Sequence, residues 1–165
     1  RIIMLASLIY RERRTKMDRK IRNKVAGYQT IDGAGVNLIR VLGMGTTDEY
    51  DPILMMDSFD SKNPDDYTAG FPMHPYRGIK TITYLAKGTI IHRDSLGSEE
   101  TMKAGEIQWM NSGSGIMHEE ILPPSERLLG TQFWLNLPVA DKMVKPTYKN
   151  VTLDDIEDIE IDGGF

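Results

Sequence analysis

Short apolar runs separated by glycine, Asp or Asn follow one another from about residue 26 to 137, and this spacing constrains the fold most strongly. The run IKTITYLAKG at 79–88 is rich in β-branched residues, and GTIIHRDS at 88–95 follows after a single glycine. Short runs bounded by turn residues are typical of β-strands. Many such strands in succession predict an all-β fold, either a sandwich or a closed barrel.

The second half of this region carries the clearest hairpin signal. MKAGEIQWM at 102–110 has a Lys-Ala-Gly turn between two short strands, and RLLGTQFWLNLP at 127–138 has the pattern of a buried strand. The polar segment SFDSKNPDDYTAGF at 58–71 predicts a long connecting loop. Only the basic N-terminal segment and the tail VTLDDIEDIE have the composition of short helices, so we expect little helix, placed at the termini.

Charge and cysteine content exclude several classes of function. The 165 residues include 20 Lys and Arg against 24 Asp and Glu, a net charge of −4. This balance gives no general affinity for a phosphate backbone, so we expect no direct nucleic-acid binding. The absence of cysteine excludes disulfides and thiolate metal sites, and it suits a protein of the reducing cytoplasm, where we expect this one.

The two ends of the chain differ in charge from its middle and predict the domain bounds. Residues 1–25 form an N-terminal extension in which basic residues are crowded, and Met17 is a candidate natural start. The apolar run at 2–10 is too short to span a bilayer, and its basic cluster follows it, unlike that of a signal peptide. We therefore expect no membrane association, a β domain at 26–150 and an acidic tail at 151–165.

The three histidines, His74, His92 and His118, are the candidates for nitrogen ligands of a metal. Residues two apart on a strand face the same side, so His74 can share a face with Tyr76, and His118 with Glu120. If both strands line one barrel interior, two imidazoles, a phenol and a carboxylate converge there. Such donors suit Fe, Mn, Ni, Cu or Zn. A lone strand histidine is more often a core or surface residue, and spacing alone leaves both interpretations open.

The blocks FPMHPYRGIKTITYLAKGTIIHRDSLG and KAGEIQWMNSGSGIMHEE resemble the signature of the pirin family, and a looser likeness covers most of residues 17–150. Pirins are bicupins, so the resemblance implies a cupin, a jelly-roll β-barrel, with a second cupin expected near the end of this chain. The N-terminal cupin of pirins typically holds a metal, most often iron, through a His-x-His pair and a His-x-Glu pair. The matching positions are His74, Tyr76, His118 and Glu120.

Two positions depart from that family pattern: Tyr76 replaces a histidine and Lys80 replaces a glutamate. Three outcomes stay open. His74, His118 and Glu120 bind the ion, a composition that matches the facial triad of non-haem Fe(II) oxygenases. Alternatively, Tyr76 joins them as a phenolate on a hard ion such as Fe(III). In the third outcome no metal binds, because strand alternation turns the Lys80 ammonium into the pocket, where it pairs with Glu120.

The residues around these ligands complete the predicted pocket, which consists of Tyr76, Lys80, Gln108 and Trp109. Gln108 can orient a ligand there. The Gly-Ser-Gly segment at 113–115 permits a tight turn before the His118 strand. His92, in its HRDS context, is expected in a turn or on the surface, and pirins do not normally use it as a ligand.

By resemblance, we expect a metal-binding cupin, and the candidate activity is the dioxygenase reaction of quercetin 2,3-dioxygenases on a flavonol, with Glu120 as the catalytic proton acceptor. The alternative is a regulatory protein that binds a protein partner and has a degenerate, metal-free pocket. A lone cupin would expose the face that the second cupin covers, so we also expect a homodimer or cover by the terminal segments. No phosphate-binding loop or dinucleotide motif supports another chemistry.

Overall fold

The computed structural model describes residues 20–157, and within that range eleven β-strands form two antiparallel sheets. The strands are β1 (Tyr28–Asp32), β2 (Val36–Leu42), β3 (Ile53–Ser61), β4 (Phe71–Tyr76), β5 (Ile79–Lys87), β6 (Thr89–Asp94), β7 (Glu99–Lys103), β8 (Ile107–Asn111), β9 (Ile116–Ile121), β10 (Leu128–Asn136) and β11 (Thr147–Val151). One short α-helix, α1 (Thr47–Tyr50), and 3-10 turns at Met44–Thr46, Pro64–Asp66, Val139–Asp141 and Leu153–Asp155 connect them.

The larger sheet has the strand order β1-β2-β3-β10-β5-β8-β11, and the smaller sheet has the order β4-β9-β6-β7. The chain passes repeatedly from one sheet to the other, for example between β4 and β5, so strands that are adjacent in sequence line opposite walls. The all-β prediction is confirmed. Helix is not confined to the termini, because α1 lies between β2 and β3.

The interior between the sheets has an apolar part and a polar part. Alternate residues of each strand point inward, and the apolar part is a cluster of buried side chains: Val36, Phe59, Tyr67, Leu85, Ile90, Met102, Leu122 and Leu128. The polar part contains Thr83, His92, Gln108, His118 and Glu120, each at most 4% exposed. Buried polar groups need hydrogen-bond partners, so this second group is where chemistry is concentrated.

Glycine turns fix several of the connections that the sequence predicts. Gly88, with φ of 95°, joins β5 to β6, and the turn at 104–106 joins β7 to β8. Gly113, with φ of 44°, begins the turn before β9, and a Cβ there would lie 2.1 Å from the carbonyl oxygen of Val144. Only glycine fits this position, because both its φ and its closeness to another backbone exclude a side chain.

Two further predictions need comment. The predicted loop at 58–71 is shorter, because Ser58–Ser61 pairs with β10 as the end of β3. The predicted N-terminal helix lies largely outside the described residues, and the described part of the tail contains the last residue of β11 and the 3-10 turn Leu153–Asp155 in place of an α-helix. Within residues 20–157, no helix has the length and apolar character needed to cross a membrane.

Candidate metal centre

Two histidines meet across neighbouring strands of the smaller sheet. His74 of β4 lies directly opposite His118 of β9 in the antiparallel register, and their Nε2 atoms are 3.0 Å apart. His118 is 1% exposed and lies at the back of the site, whereas His74 is half-buried and lines a pocket. The register, and not the local sequence, therefore brings the two imidazoles together.

The other ring nitrogen of each histidine faces a hydrogen-bond acceptor. His74 Nδ1 lies 2.8 Å from the carbonyl oxygen of Pro72, and His118 Nδ1 lies 3.0 Å from the sulfur of Met110. A carbonyl oxygen only accepts, and a thioether accepts weakly, so both Nδ1 atoms are placed to carry the proton. Both Nε2 atoms then present lone pairs to each other, an arrangement that requires a cation or a shared proton between them.

This pair fits a first-row transition metal. Imidazole nitrogens bind such ions at about 2.0–2.1 Å, and two nitrogens at right angles around one ion are then about 3 Å apart. Metal-bound histidines commonly donate their second N–H to a carbonyl, as His74 does to Pro72. Burial and the neighbouring His74 lower the pKa of His118 to about 3, so this imidazole stays neutral and able to bind an ion over the physiological range.

Tyr76 completes a cluster of three rings. Its ring centroid lies 4.9 Å from that of His74 and 4.8 Å from that of His118, and the three rings are nearly perpendicular to one another. Burial, together with the negative charge of Glu120, raises the pKa of Tyr76 above its ordinary value. Without an ion beside it, the phenol is therefore neutral.

Glu120 is the carboxylate on the same inward face as His118, two residues along β9. It is 4% exposed, Gln132 Nε2 lies 3.5 Å from its Oε2, and its Oε1 has no hydrogen-bond partner among the described residues. Burial raises the pKa of Glu120 to about 7, while the amides of Gln108 and Gln132 act in the opposite direction. Within residues 20–157, no three His, Asp or Glu side chains are already gathered closely enough to hold an ion. The two histidines are thus paired, whereas Glu120 is not gathered with them and has one carboxylate oxygen without a hydrogen-bond partner among the described residues.

A pocket of about 320 Å³ is lined by His74, the more exposed histidine of the pair. Its volume lies at the low end of the range of about 300–1,000 Å³ for small-molecule sites. Three aromatic side chains, Phe71, Tyr76 and Trp134, provide flat apolar walls beside His74. Two carboxylates also line it: those of Asp32 and Asp57, which are bound by the guanidinium of Arg40.

Lys80 and Trp109 lie on the other face of the larger sheet, which differs from the predicted pocket. Thr81 and Thr83 of β5 point inward, so Lys80 points outward, and its Nζ lies 4.8 Å from the centre of the Trp109 ring. Strand alternation does not run from Tyr76 to Lys80, because Gly78 has φ of 69° and the chain changes sheets there. The ammonium therefore does not substitute for an ion beside Glu120. Gln108, in contrast, points into the interior.

His92 is fully buried, which corrects its predicted place in a turn or on the surface. Its Nε2 lies 2.9 Å from Oδ2 of Asp94, and both side chains are 0% exposed. The signal that could have placed it is the alternation of β6, in which Ile90, His92 and Asp94 share one face. Thr83, Gln132 and Trp134, which the sequence did not single out, also border the site.

The comparisons of this chain with a family model and with related proteins indicate the same family. The family model "Pirin" matches residues 35–135. A pirin-like protein of Caulobacter vibrioides is 43% identical over 147 residues, which cover 88% of this chain and 53% of that protein. The chain spans about half the length of the curated relatives it matches.

Solved structures show the same fold. A quercetin 2,3-dioxygenase from Acinetobacter baumannii is 31% identical with a TM-score of 0.70, over 84% of this chain and 51% of that one. A bacterial pirin from Escherichia coli in complex with nickel(II) is 28% identical with a TM-score of 0.56, over 75% of this chain and 53% of that one.

Proposed function

Since the chain belongs to the pirin family of cupin proteins, we propose that it binds one first-row transition ion through His74, His118 and Glu120 and acts as a dioxygenase on a flavonol-type substrate. Iron is the first candidate, with Mn, Cu, Ni and Zn as others. The proposal extends to this chain what the names of its relatives state of those proteins, a quercetin 2,3-dioxygenase and a nickel(II) complex.

The observation that carries the metal site is the facing pair of Nε2 atoms, 3.0 Å apart. Both Nδ1 protons have acceptors in Pro72 and Met110, so the electron pairs that face each other between the rings are available to a cation. The unpartnered Oε1 of Glu120 supports a third ligand, because a buried carboxylate oxygen without a partner is costly. When bound, the ion supplies Lewis-acid binding of substrate oxygen and electron transfer to dioxygen.

The residues of the chain supply the remaining functions. The walls formed by Phe71, Tyr76 and Trp134 fit a flat aromatic ring system and keep bulk water from the histidines. Glu120, the buried carboxylate on the inward face of β9, is the proposed acceptor of the proton of a substrate hydroxyl. The neutral phenol of Tyr76 borders the same space and helps to position the substrate.

The test loads the protein with Fe(II) or Ni(II), removes free ions and measures bound metal and oxygen uptake with quercetin. We expect one ion per chain in the wild type and none in His118→Ala. Met117→Ala is the matched control, because Met117 is the adjacent residue of β9 and points outward. Metal that stays stoichiometric in His118→Ala would contradict the proposed centre.

The alternative function, a regulatory protein that binds a partner with an empty pocket, has one observation in its favour. The three ligands are not gathered within the described residues, and the two histidines can share a proton instead of an ion. The same experiment separates the two functions: stoichiometric metal with quercetin-dependent oxygen uptake supports the enzyme. If the protein binds no metal at ion concentrations up to about 1 mM, which is 1000-fold above a typical Kd of about 1 μM, the regulatory function is supported.

A further inference from the structure

A line of buried hydrogen bonds joins Asp94 to Glu120 through the middle of the barrel. Its side chains belong to strands of both sheets, and all are buried except that of Gln132, which is half-buried and lines the pocket. The successive heavy-atom distances are 2.9 Å from Asp94 to His92, 3.3 Å from His92 to Gln108, 3.2 Å from Gln108 to Thr83, 3.0 Å from Thr83 to Gln132 and 3.5 Å from Gln132 to Glu120.

Asp94 fixes the direction of this line at one end. Its Oδ1 accepts the backbone N–H groups of Leu96 and Ser98 at 2.8 and 3.1 Å, and its Oδ2 faces His92 Nε2. An ionised carboxylate only accepts, so His92 must carry its proton on Nε2. His92 Nδ1 is then an acceptor, and the group of Gln108 that faces it must be the NH₂.

The remaining groups of the line donate their hydrogen bonds in the same direction, toward Asp94. Gln108 Oε1 accepts the hydroxyl of Thr83, whose oxygen accepts an N–H of Gln132. At the other end, the indole N–H of Trp134 donates to Gln132 Oε1 at 3.2 Å. Asp94 at one end of the line and Trp134 at the other therefore require the same orientation of Gln132, in which its NH₂, and not its carbonyl oxygen, faces Glu120.

We propose that His92 and Asp94 are positioning residues: they orient the amide of Gln108, and with it the whole line, so that N–H groups face the carboxylate of Glu120. The inference rests on the proposed role of Glu120 as a metal ligand. Amide N–H groups stabilise the ionised form of the carboxylate, which is the form that binds an ion. A carbonyl oxygen that faces the carboxylate destabilises this form, because two acceptors repel each other. Hydrogen-bonding partners behind metal ligands orient those ligands in this way.

The packing around His92 supports a fixed orientation. The ring of Tyr148 stacks on His92 with centroids 3.9 Å apart and an angle of 9°, so the imidazole cannot turn freely.

Asp94→Asn is the most direct perturbation, because it keeps the shape and reverses one donor. The two backbone N–H groups hold the Asn oxygen, so the Asn NH₂ faces His92 Nε2. His92 must then move its proton to Nδ1, where it faces the NH₂ of Gln108. Gln108 turns over to relieve this conflict and donates to Thr83, whose hydroxyl then donates to Gln132, so the carbonyl oxygen of Gln132 takes the place of its N–H beside Glu120. We expect nickel(II) to bind about 10- to 100-fold more weakly, the usual effect of losing such a partner.

The experiment combines ¹⁵N NMR of the histidine rings with calorimetric titration of nickel(II) into the metal-free protein. We expect the Nε2–H tautomer of His92 in the wild type and the Nδ1–H tautomer in Asp94→Asn. Glu99→Gln is the control, since Glu99 lies on the neighbouring strand β7, is exposed and pairs with Arg93 outside the line. It should change neither the tautomer nor the nickel affinity.

A double-mutant cycle adds a second variant with Gln108→Leu. If Asp94 acts through Gln108, Asp94→Asn weakens nickel binding by less than about 2-fold in the Gln108→Leu background. A wild-type His92 in the Nδ1–H form overturns the inference without any variant, and so does an Asp94→Asn protein that binds nickel as tightly as the wild type. Failure of the wild type to bind nickel would instead contradict the proposed function, and the tautomer measurement would still stand.

Discussion

Replacing Arg40 with methionine removes the guanidinium that holds two carboxylates at the pocket wall. Arg40 Nε and one of its terminal nitrogens donate to the two oxygens of Asp57 at 2.9 and 2.8 Å, and the same terminal nitrogen reaches Asp32 at 2.7 Å. The side chain of Asp57 is 5% exposed, whereas that of Asp32 is 45% exposed. The energetic cost therefore falls on Asp57, which loses its partner while it stays buried.

The size of the effect follows from that burial. Removing one partner of a buried ion pair costs about 3–5 kcal/mol, because the remaining charge is uncompensated. The side chain of Arg40 is itself 21% exposed, so water can partly solvate the site after the change. We therefore take the low end, about 3 kcal/mol. A chain of this size loses about 2–4 °C in Tm for each kcal/mol, which gives a decrease of roughly 6–12 °C.

The assay is thermal and urea unfolding of Arg40→Met beside Arg127→Met. Arg127 forms an equally well-aligned pair with Asp60 at 2.6 Å, but both side chains are at least 40% exposed. Exposed pairs contribute little, so the control should unfold almost like the wild type. The double variant Arg40→Met/Asp57→Leu should recover part of the loss, because no unpaired charge remains. Equal effects of Arg40→Met and Arg127→Met would refute this reasoning.

Two further predictions concern the site. Burial raises the pKa of Glu120 from 4.5 to about 7, so between these pH values the folded state binds more protons than the unfolded state, and the free energy of unfolding of the metal-free protein falls as pH rises. The free energy of unfolding of the wild type, minus that of Glu120→Gln, should fall by about 3 kcal/mol from pH 4.5 to 8, because the opposite contribution of His118 is present in both proteins and cancels. Urea unfolding measures this difference, and a difference that does not change with pH would contradict the prediction. Lys80→Met should leave nickel affinity unchanged within about 2-fold, since Lys80 lies over Trp109 outside the pocket, and tenfold tighter binding would show that the lysine competes with the ion.

The parts of the site that follow from strand alternation could be predicted from the sequence. His74 and Tyr76 lie on β4, and His118 and Glu120 lie on β9, so each pair shares a face as the spacing of two requires. The pairing of His74 with His118 depends on the register between distant strands, which local pattern does not encode. That convergence was expected from the family resemblance instead.

The misplaced residues have physical reasons. Alternation ends at Gly78, whose positive φ lets the chain cross to the other sheet, so Lys80 faces outward. The turn residues after His92 suggested a surface position, but the side chain of Asp94 points into the interior and accepts a hydrogen bond from His92 Nε2 there. The side chains of the line that ends at Glu120 come from β5, β8 and β10, and because Thr83 and Gln132 are 49 residues apart in sequence, no short motif joins them.

Nickel-soaked crystals of this protein, examined by anomalous scattering, test the central claim most directly. We expect one anomalous peak within about 2.1 Å of the Nε2 atoms of both His74 and His118, with an oxygen of Glu120 as a third ligand. The absence of a peak between the two imidazoles, in crystals that hold nickel elsewhere, would contradict the proposed metal centre.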